Sequence, residues 1–411
     1  MKNICLVGIG GYAARCLKII QLLEKERSIS LHSIVVRDRK KYAKEVEEVD
    51  NMGVIIYPSF EKMLTYGQNK VDIIVLPIAL MDLASHSIMA LEAGYDVIAE
   101  KPAAVTIQDA DKLIEVEKAT DQYLCIGYQF TYSSSISLIL NTIESGQLGK
   151  VKHVKVMCGW SRNWKYYKSK NWIGKLSLDN KWILDGPLAN ENSHFLNNAL
   201  MIISAANHAA DIKSLKAELY RANNITSYDV CSLRAEMEDG VQLFFVASHA
   251  INNSIDPIME VECENGSINW NFENEKTVIR YKDGHKKLFR EQDIEQKYEN
   301  VFRDAIAVST TRTRRPKSTM EVARPQVLVS NLAFESAQEI VTIPEKSLKY
   351  VNNKQGKKTT VIDMESILEQ AYQNKSLFSE MNLPWAKETA EVSGNGYTHF
   401  PQNEKLLRLL K

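Results

Sequence analysis

The amino-acid sequence predicts an α/β protein with two domains: a doubly wound parallel sheet, and a second α/β domain with an open, mostly antiparallel sheet. Two observations predict this architecture. Short apolar runs alternate with helix-like runs up to residue 128, whereas beyond residue 150 alternating runs are joined by Asp-Gly and Asn-Gly pairs. The chain has 411 residues, which is long enough for two separate cores.

The short runs in the first part of the sequence are apolar throughout, as expected of parallel strands buried on both faces. These strand candidates are residues 4–7, 33–36, 53–57, 71–77, 96–100 and 122–128. Between the first two runs, apolar residues repeat at helical spacing from Ala13 to Leu23. This alternation of strands and helices predicts a doubly wound domain at residues 1–125.

The second part of the sequence predicts antiparallel hairpins. Alternating runs occur at residues 151–157, 231–237, 241–248, 258–263, 267–272 and 277–281. Glu-Asp-Gly, Glu-Asn-Gly and Asp-Gly lie between or just after them, and such pairs are strong hairpin signals. Helices are expected from about residues 301 and 318. We place the second domain at 126–345 and a C-terminal extension, loosely organised at its end, at 346–411.

Composition excludes several classes of protein. The 51 basic and 51 acidic residues balance, which argues against nucleic acid or a membrane surface as a partner. No apolar run has the length of a membrane span, and no signal-peptide pattern is present. The six cysteines form no C-x-x-C pair, and the histidines at 86, 153, 208, 249, 285 and 399 show no ligand spacing. We therefore expect a cytoplasmic protein without a metal site.

A glycine-rich turn follows the first strand. Gly8 is expected to form the tight turn, Gly10 to let the backbone approach a pyrophosphate, and Ala13 to take the small position where helix meets strand. Because a strand precedes the turn and a helix follows it, the pattern predicts a Rossmann-type dinucleotide site. The alternative is a glycine-rich turn without a ligand.

The end of the second strand bears on the choice of cofactor. An acidic residue at this position binds the ribose hydroxyls of NAD, whereas an arginine accommodates the additional phosphate of NADP. Asp38 favours NAD, and Arg37, Arg39 and Lys40 favour NADP. Either cofactor is possible, and the basic side chains tip the expectation slightly towards NADP.

Glu100-Lys101-Pro102 follows the fifth strand, at the sheet edge where α/β proteins bind ligands. A lysine there can stabilise negative charge on a substrate oxygen; a solvated lysine is the alternative. Together with the glycine turn, this motif resembles the glucose–fructose oxidoreductase / inositol dehydrogenase family (Gfo/Idh/MocA). Residues 90–94, 126–129 and 146–151 also resemble that family, and the resemblance covers residues 1 to about 340.

The resemblance implies a set of ligand-binding residues. The cofactor would be bound by Gly8, Gly10, Gly11, Tyr12, Ala13, Arg37, Asp38, Pro77, Glu100, Lys101 and Gln129. The substrate would be bound by Lys101, Tyr128, Arg162, Asn190 and His194. The resemblance also implies assembly as a homodimer or homotetramer through the bare face of the second sheet.

A second family motif, roughly Gly-x-x-x-Asp-x-Gly-x-His, corresponds to residues 186–194. The resemblance implies that His194 takes the hydroxyl proton, together with Lys101 in the crevice. Here the family's Asp is Asn190 and its Gly is Asn192. An amide cannot titrate, so Lys101 and His194 are the catalytic candidates. The alternative is a helix start capped by asparagine side chains.

An aromatic, basic stretch precedes that motif and contains Trp160, Arg162, Trp164, Tyr166, Tyr167 and Trp172. It predicts either a wall that binds a polyol or a packed loop, and the residues favour neither.

The sequence thus predicts an NAD(P)-dependent oxidoreductase that reversibly oxidises a secondary alcohol of a sugar, cyclitol or related polyol. One alternative is a glycosidase that uses bound NAD for transient oxidation and elimination. The other is a dinucleotide-dependent sensor without catalytic activity, because a fold does not fix a function.

Overall fold

The computed structural model describes residues 1–207, 210–272, 276–291, 295–354 and 356–408. His208, which is predicted to be structural, lies outside the described residues.

The helices and strands follow one another in the order that the sequence predicts for the first domain. The α-helices are α1 (Tyr12–Lys25), α2 (Ala43–Asp50), α3 (Phe60–Tyr66), α4 (Leu80–Glu92), α5 (Ile107–Thr120), α6 (Ser134–Glu144), α7 (Trp164–Tyr167), α8 (Ser193–Asn207), α9 (Gln296–Thr311), α10 (Met320–Ala337), α11 (Met364–Asn374) and α12 (Glu404–Leu407). The strands up to the middle of the chain are β1 (Lys2–Val7), β2 (Ile29–Val35), β3 (Ile55–Tyr57), β4 (Ile73–Leu76), β5 (Asp96–Ala99), β6 (Leu124–Ile126), β7 (Val151–Gly159), β8 (Ser177–Leu178), β9 (Lys181–Trp182) and β10 (Ile212–Arg221). The remaining strands are β11 (Val230–Met237), β12 (Gln242–Ser248), β13 (Ile255–Cys263), β14 (Gly266–Asn271), β15 (Lys276–Tyr281), β16 (Lys286–Arg290), β17 (Val341–Thr342), β18 (Leu348–Asn353), β19 (Gly356–Val361) and β20 (Glu391–Ser393).

The first compact unit comprises Met1–Val105, Asp109–Tyr132 and Glu295–Ala323. Its sheet has the order β3-β2-β1-β4-β5-β6, and all of its pairs are parallel. The chain reverses direction across the sheet between β1 and β4, and ligands bind at such a switch point in doubly wound folds. The predicted fold of the first domain is confirmed.

The core of this unit lies between the sheet and its helices. Ile4 and Leu6 on β1 are fully buried, as is Ile20 on α1. Helix α9, far along the sequence, packs into the same cluster through Val301 and Phe302. Segment 295–323 therefore belongs to the first unit, which a division of the sequence at residue 125 does not anticipate.

The second compact unit comprises Thr106–Gln108, Ser133–Ile294 and Arg324–Lys411. Its large sheet has the order β16-β15-β14-β13-β7-β12-β11-β10-β17, with β20 also paired to β10. Among the described strands of this second sheet, only the pairs β7–β12 and β10–β17 are parallel, which confirms the mostly antiparallel sheet. The predicted hairpins also form: Glu264-Asn265 joins β13 to β14, and Asp283-Gly284 lies between β15 and β16.

Both faces of this sheet are covered around β7. Phe195 of α8 lies 5.8 Å from Trp270, on the face that carries Val156. On the opposite face, Met157 and Val246 pack against Leu368 of α11. The bare face expected there is therefore covered by the chain's own C-terminal segment. Assembly into a homodimer or homotetramer stays a prediction.

The expectation of a loosely organised C-terminus is wrong for the residues that the structure describes. Strand β20 adds to the edge of the large sheet by pairing with β10. Tyr397 and Phe400 are buried, and the hydroxyl of Tyr397 donates a hydrogen bond to Glu335 at 2.7 Å. Asn, Gly and Pro in this segment indicate turns, but tertiary contacts decide whether those turns are packed or loose.

Within the described ranges, no helix is both long and apolar enough to cross a membrane. The same residues contain no group of three or more His, Cys, Asp and Glu side chains that could hold a metal ion. All six cysteines are buried free thiols.

Candidate functional site

The glycine turn between β1 and α1 has the backbone geometry that the sequence predicts. Gly8 has a φ of +101°, in the region that favours glycine, and its amide donates to the carbonyl of Val35 at 2.9 Å. Gly11, at the N-cap of α1 with a φ of +61°, has no side chain that could cap the helix. No acidic residue occupies the first turn of α1. The first amides of α1 are therefore suited to bind an anion.

A cleft of about 390 Å³ opens above this turn, within the range of volumes that hold small ligands. Its lining includes the predicted residues Gly8, Gly10, Ala13, Arg37, Asp38 and Pro77. At Gly10 an added Cβ would lie 2.5 Å from Cε1 of Tyr42, which shows how tightly the turn is packed. Tyr42 and Lys41 also line the cleft, and no sequence signal had identified them.

The charged residues after β2 differ in where they point. Arg37 and Asp38 line the cleft, and the carboxylate of Asp38 accepts a hydrogen bond from the amide of Lys41 at 3.0 Å. Arg39 instead donates to the carbonyl of Ile56 at 2.5 Å. Of the three basic residues that favour NADP, only Arg37 therefore lines the cleft.

A smaller cavity, of about 10 Å³, is lined by further predicted residues of the same unit: Tyr12, Pro77, Glu100 and Gln129. Burial raises the pKa of Glu100 to about 7, although the neighbouring Lys101 and a hydrogen bond from Tyr12 oppose the shift. Burial and the charge of Glu100 together raise the pKa of Tyr12. Lys101 follows directly after this buried carboxyl, and Tyr128 is buried just beyond β6.

The second motif forms a turn built on side-chain contacts. Gly186 lies against the ring of Tyr228, since an added Cβ would be 2.5 Å from that ring. A single π-helical turn, Pro187–Glu191, then leads into α8. The carboxylate of Asp185 accepts hydrogen bonds from the side-chain amide of Asn190 at 2.8 Å and from the backbone of Gly174 at 2.6 Å. Asp185 therefore fixes the orientation of Asn190.

His194 is the second residue of α8 and is 5% exposed. Asn192, two residues earlier, is fully buried, and neither polar atom of its side chain has a hydrogen-bond partner among the described residues. Buried amides usually have partners, so the turn keeps hydrogen-bonding capacity that a ligand could use.

Arg162 lies beside this turn and contacts several of its neighbours. Its guanidinium forms a 2.7 Å ion pair with Glu191, which also accepts a 2.7 Å hydrogen bond from the hydroxyl of Tyr166. The guanidinium stacks at 4.9 Å over the ring of Tyr166. Burial, then the charge of Arg162, lowers the pKa of the adjacent His249 to about 4.

The aromatic stretch serves two purposes. Trp160 packs against Phe195 at 5.4 Å, and its indole N–H donates to Asp256 at 3.0 Å, as a packed loop requires. Trp164 and Tyr167 instead line a pocket in the second unit. Trp160 therefore fits the packed loop, whereas the polyol-binding wall stays a prediction for Trp164 and Tyr167.

The family relationship rests on the first unit. Residues 2–128 match the GFO_IDH_MocA model, described as an oxidoreductase family with an NAD-binding Rossmann fold. The chain carries the NAD-binding domain of the Gfo/Idh/MocA oxidoreductase family. For residues 2–128, this match confirms the family predicted from the sequence.

Two curated proteins are similar over part of their length. A 1-carboxy-3-chloro-3,4-dihydroxycyclohexa-1,5-diene dehydrogenase from Comamonas testosteroni is 34% identical over 74 residues, which are 18% of this chain and 19% of that protein. The putative oxidoreductase YteT from Bacillus subtilis is 24% identical over 188 residues, 43% of each chain. The chain thus matches less than half the length of these relatives.

The fold resembles solved dehydrogenase structures over most of the chain. The WlbA dehydrogenase from Chromobacterium violaceum, in complex with NADH and UDP-GlcNAcA, superimposes with a TM-score of 0.66 at 17% identity, covering 88% of this chain and 96% of that one. At this identity the likeness confirms the fold.

Several residues with roles in these sites escaped sequence reasoning. Asp185 and Glu191 are the acidic residues adjacent to and within the second motif, a signal that could have identified them. Tyr42 lies close to Gly10, and Tyr228 lies close to Gly186. Both glycines are far from these tyrosines in sequence, so no local pattern predicted the contacts.

Proposed function

We propose that the protein is an NAD(P)-dependent oxidoreductase that reversibly oxidises a secondary alcohol of a sugar, cyclitol or related polyol to a ketone. The observation that carries the proposal is the glycine turn: an uncapped start of α1 with no acidic residue, opening onto a cleft lined by Arg37 and Asp38. Backbone amides there fit a pyrophosphate, and the two side chains fit a ribose or its phosphate.

The comparisons support the substrate class. One relative is named as the dehydrogenase of a dihydroxycyclohexadiene, and one structural neighbour binds NADH together with a sugar nucleotide. Both names describe ligands with hydroxyl groups on a six-membered ring. We therefore propose a cyclic polyol or sugar as the substrate.

The proposed chemistry needs one cation and one base. The ammonium group of Lys101 would hold the substrate oxygen through a charge-assisted hydrogen bond. His194 would accept the hydroxyl proton as that O–H bond breaks. A bound nicotinamide would supply the acceptor for the hydride that leaves the same carbon. Asn190, held by Asp185, and Asn192, with its unused amide, would bind neighbouring hydroxyls.

The cofactor preference within the cleft is part of the proposal. Arg37 and Lys41 both line the cleft, together with the carboxylates of Asp38, Glu61 and Asp82, so two cations are available for the additional phosphate of NADP. This arrangement supports a slight preference for NADP over NAD, with both cofactors able to bind.

The test is a fluorescence titration of the full chain with NADH and with NADPH, followed by a screen of polyols with the oxidised form of the cofactor that binds more tightly. We expect micromolar binding and net reduction of the cofactor by at least one cyclic polyol. Binding without any turnover would support the sensor, and glycoside cleavage without net cofactor reduction would support the glycosidase. If neither nucleotide binds to protein shown to be free of cofactor, the proposal is wrong.

A further inference from the structure

A second candidate ligand site lies wholly within the second unit. The pocket measures about 940 Å³, and its walls come from the loop around α7, the end of β10 and the β18–β19 hairpin. Arg162, Asn190 and His194, which the family resemblance assigns to the substrate, do not line it. Pockets of this size hold ligands as large as a monosaccharide or more.

Two aromatic rings are exposed on the walls of this pocket. Trp164 is 37% exposed, and its indole N–H donates to the hydroxyl of Thr359 at 3.0 Å, which fixes the ring against the hairpin. Tyr350 on the same hairpin is 57% exposed. Exposing a large aromatic side chain to water is unfavourable, and patches of such side chains often mark binding surfaces. Fixed aromatic faces suit the C–H surface of a sugar ring.

The charge of the pocket is positive. Lys168, Lys175 and Arg221 line it, and none of them forms an ion pair with a described residue. Arg221 uses Nε for Thr342 at 2.9 Å and Nη1 for the carbonyl of Thr226 at 3.4 Å, so Nη2 has no hydrogen bond to the described residues. Among the described residues that line the pocket, Glu345 carries the one carboxylate. Three cations against one anion favour a negatively charged ligand.

Unused hydrogen-bonding capacity adds a separate indication. The hydroxyl of Tyr167 and Oδ1 of Asn223 are buried in residues that line the pocket, and neither has a hydrogen-bond partner in the part of the chain that the structure describes. Unpartnered buried polar atoms are costly, and a ligand rich in hydroxyls could satisfy them.

We propose that this pocket binds a sugar acid, a polyhydroxylated ring that carries a carboxylate. The aromatic faces take the ring, the cations take the carboxylate, and Tyr167 and Asn223 take hydroxyls. Gly174 lines the pocket and donates its amide to Asp185, which also holds Asn190. A ligand in the pocket would thus affect the position of Asn190 in the second motif through the carboxylate of Asp185.

The test is isothermal titration of the full chain with D-glucuronate, with neutral D-glucose as the matched ligand. We expect saturable binding of glucuronate and binding of glucose that is at least about tenfold weaker, because charged hydrogen bonds contribute that much. Lys175→Gln and Tyr350→Ala are each expected to weaken glucuronate binding about tenfold. Both side chains lie on the pocket wall, and thermal unfolding reports whether the variants remain folded.

The control variants separate this site from the catalytic one. Lys165→Gln removes an exposed charge of the same loop that does not line the pocket, and it should leave binding unchanged. Lys101→Ala lies in the first unit and should also leave it unchanged. Each of five results would overturn the proposal: no saturation with glucuronate, binding of glucose as tight as that of glucuronate, binding of AMP tighter than that of glucuronate, unaltered glucuronate binding by Lys175→Gln, or loss of glucuronate binding in Lys101→Ala. Cofactor titration concerns the other unit, so failure here leaves the oxidoreductase proposal standing.

Discussion

The glycine turn (residues 8–12) and the asparagine turn (residues 186–194) both lead into a helix, but they are built from different parts of the chain. The backbone determines the shape of the glycine turn, through left-handed φ angles at Gly8 and Gly11 and an uncapped helix start. Side chains determine the shape of the asparagine turn, because Asp185 orients Asn190 and Tyr228 packs on Gly186.

This difference decides how each turn tolerates change. Backbone geometry depends on the absence of side chains, so almost any added atom in the glycine turn is harmful. A turn built on side chains depends on which groups surround it, and those groups come from distant segments. Five predictions test this comparison.

The largest effect is expected at the proposed catalytic pair. Lys101→Ala or His194→Ala should lower kcat/KM by about 10³-fold, because each removes a group that acts on the reacting oxygen or proton. The dissociation constant of the cofactor should change by no more than roughly threefold. Steady-state kinetics and cofactor titration measure the two quantities. His285→Ala, at an exposed histidine, serves as the control, and a loss of less than tenfold would contradict the assigned roles.

His249, which is buried near the asparagine turn, should make the free energy of unfolding depend on pH. Burial and Arg162 lower its pKa from 6.5 to about 4, so the unfolded state binds a proton between these values that the folded state does not. Stability should therefore fall as pH drops from about 6.5 to 4, by on the order of 3 kcal/mol. In urea denaturation at both pH values, His249→Gln should lack most of this fall; an identical fall in the variant would exclude His249 as its source.

Buried Glu100 should act in the opposite direction near the glycine turn. Its pKa rises from 4.5 to about 7, so the folded state keeps a proton that the unfolded state loses. Its contribution should decline as pH rises from about 4.5 to 7, by on the order of 3 kcal/mol at most. Glu100→Gln should accordingly gain stability relative to the parent chain at pH 8 but not at pH 4. Equal differences at both pH values would show that folding does not raise the pKa of Glu100.

Gly10→Ala tests the backbone character of the first turn. The added Cβ would meet Tyr42 at 2.5 Å and narrow the approach to the turn. We expect cofactor affinity to fall by on the order of tenfold to a hundredfold. Gly53→Ala, at a φ of +75° and with nothing within 4 Å of the added Cβ, strains the backbone without a clash and is the control for a general loss of stability in the same unit. If Tyr42→Ala restored full affinity to Gly10→Ala, the clash with Tyr42 alone would explain the loss.

The smallest effect concerns cofactor choice. Arg37→Ala should weaken NADPH binding by about tenfold and leave NADH binding nearly unchanged, since one charged hydrogen bond to a phosphate is lost. Lys40→Ala is the matched control, because Lys40 is exposed and does not line the cleft. Parallel titrations with both nucleotides decide the matter. Equal weakening of both would assign Arg37 to the shared pyrophosphate instead.

Much of the fold could be predicted from the sequence because its signals are local. Uninterrupted apolar runs predicted the parallel strands, and Glu264-Asn265 predicted a hairpin that forms at that position. The glycine turn was predictable for the same reason, since φ angles at Gly8 and Gly11 depend on those residues alone. The family motif at Lys101 likewise needed only its neighbours in sequence.

Tertiary structure alone decided the rest. The sequence by itself determined two α/β units, the glycine turn and the identity of the motif residues, because periodicity and backbone freedom are properties of adjacent residues. Only the fold brought α9 back into the first core, laid α11 over the second sheet and placed Asp185 against Asn190. These contacts join segments whose pairing is set by complementary shape and charge, and neither leaves a periodic trace in the sequence.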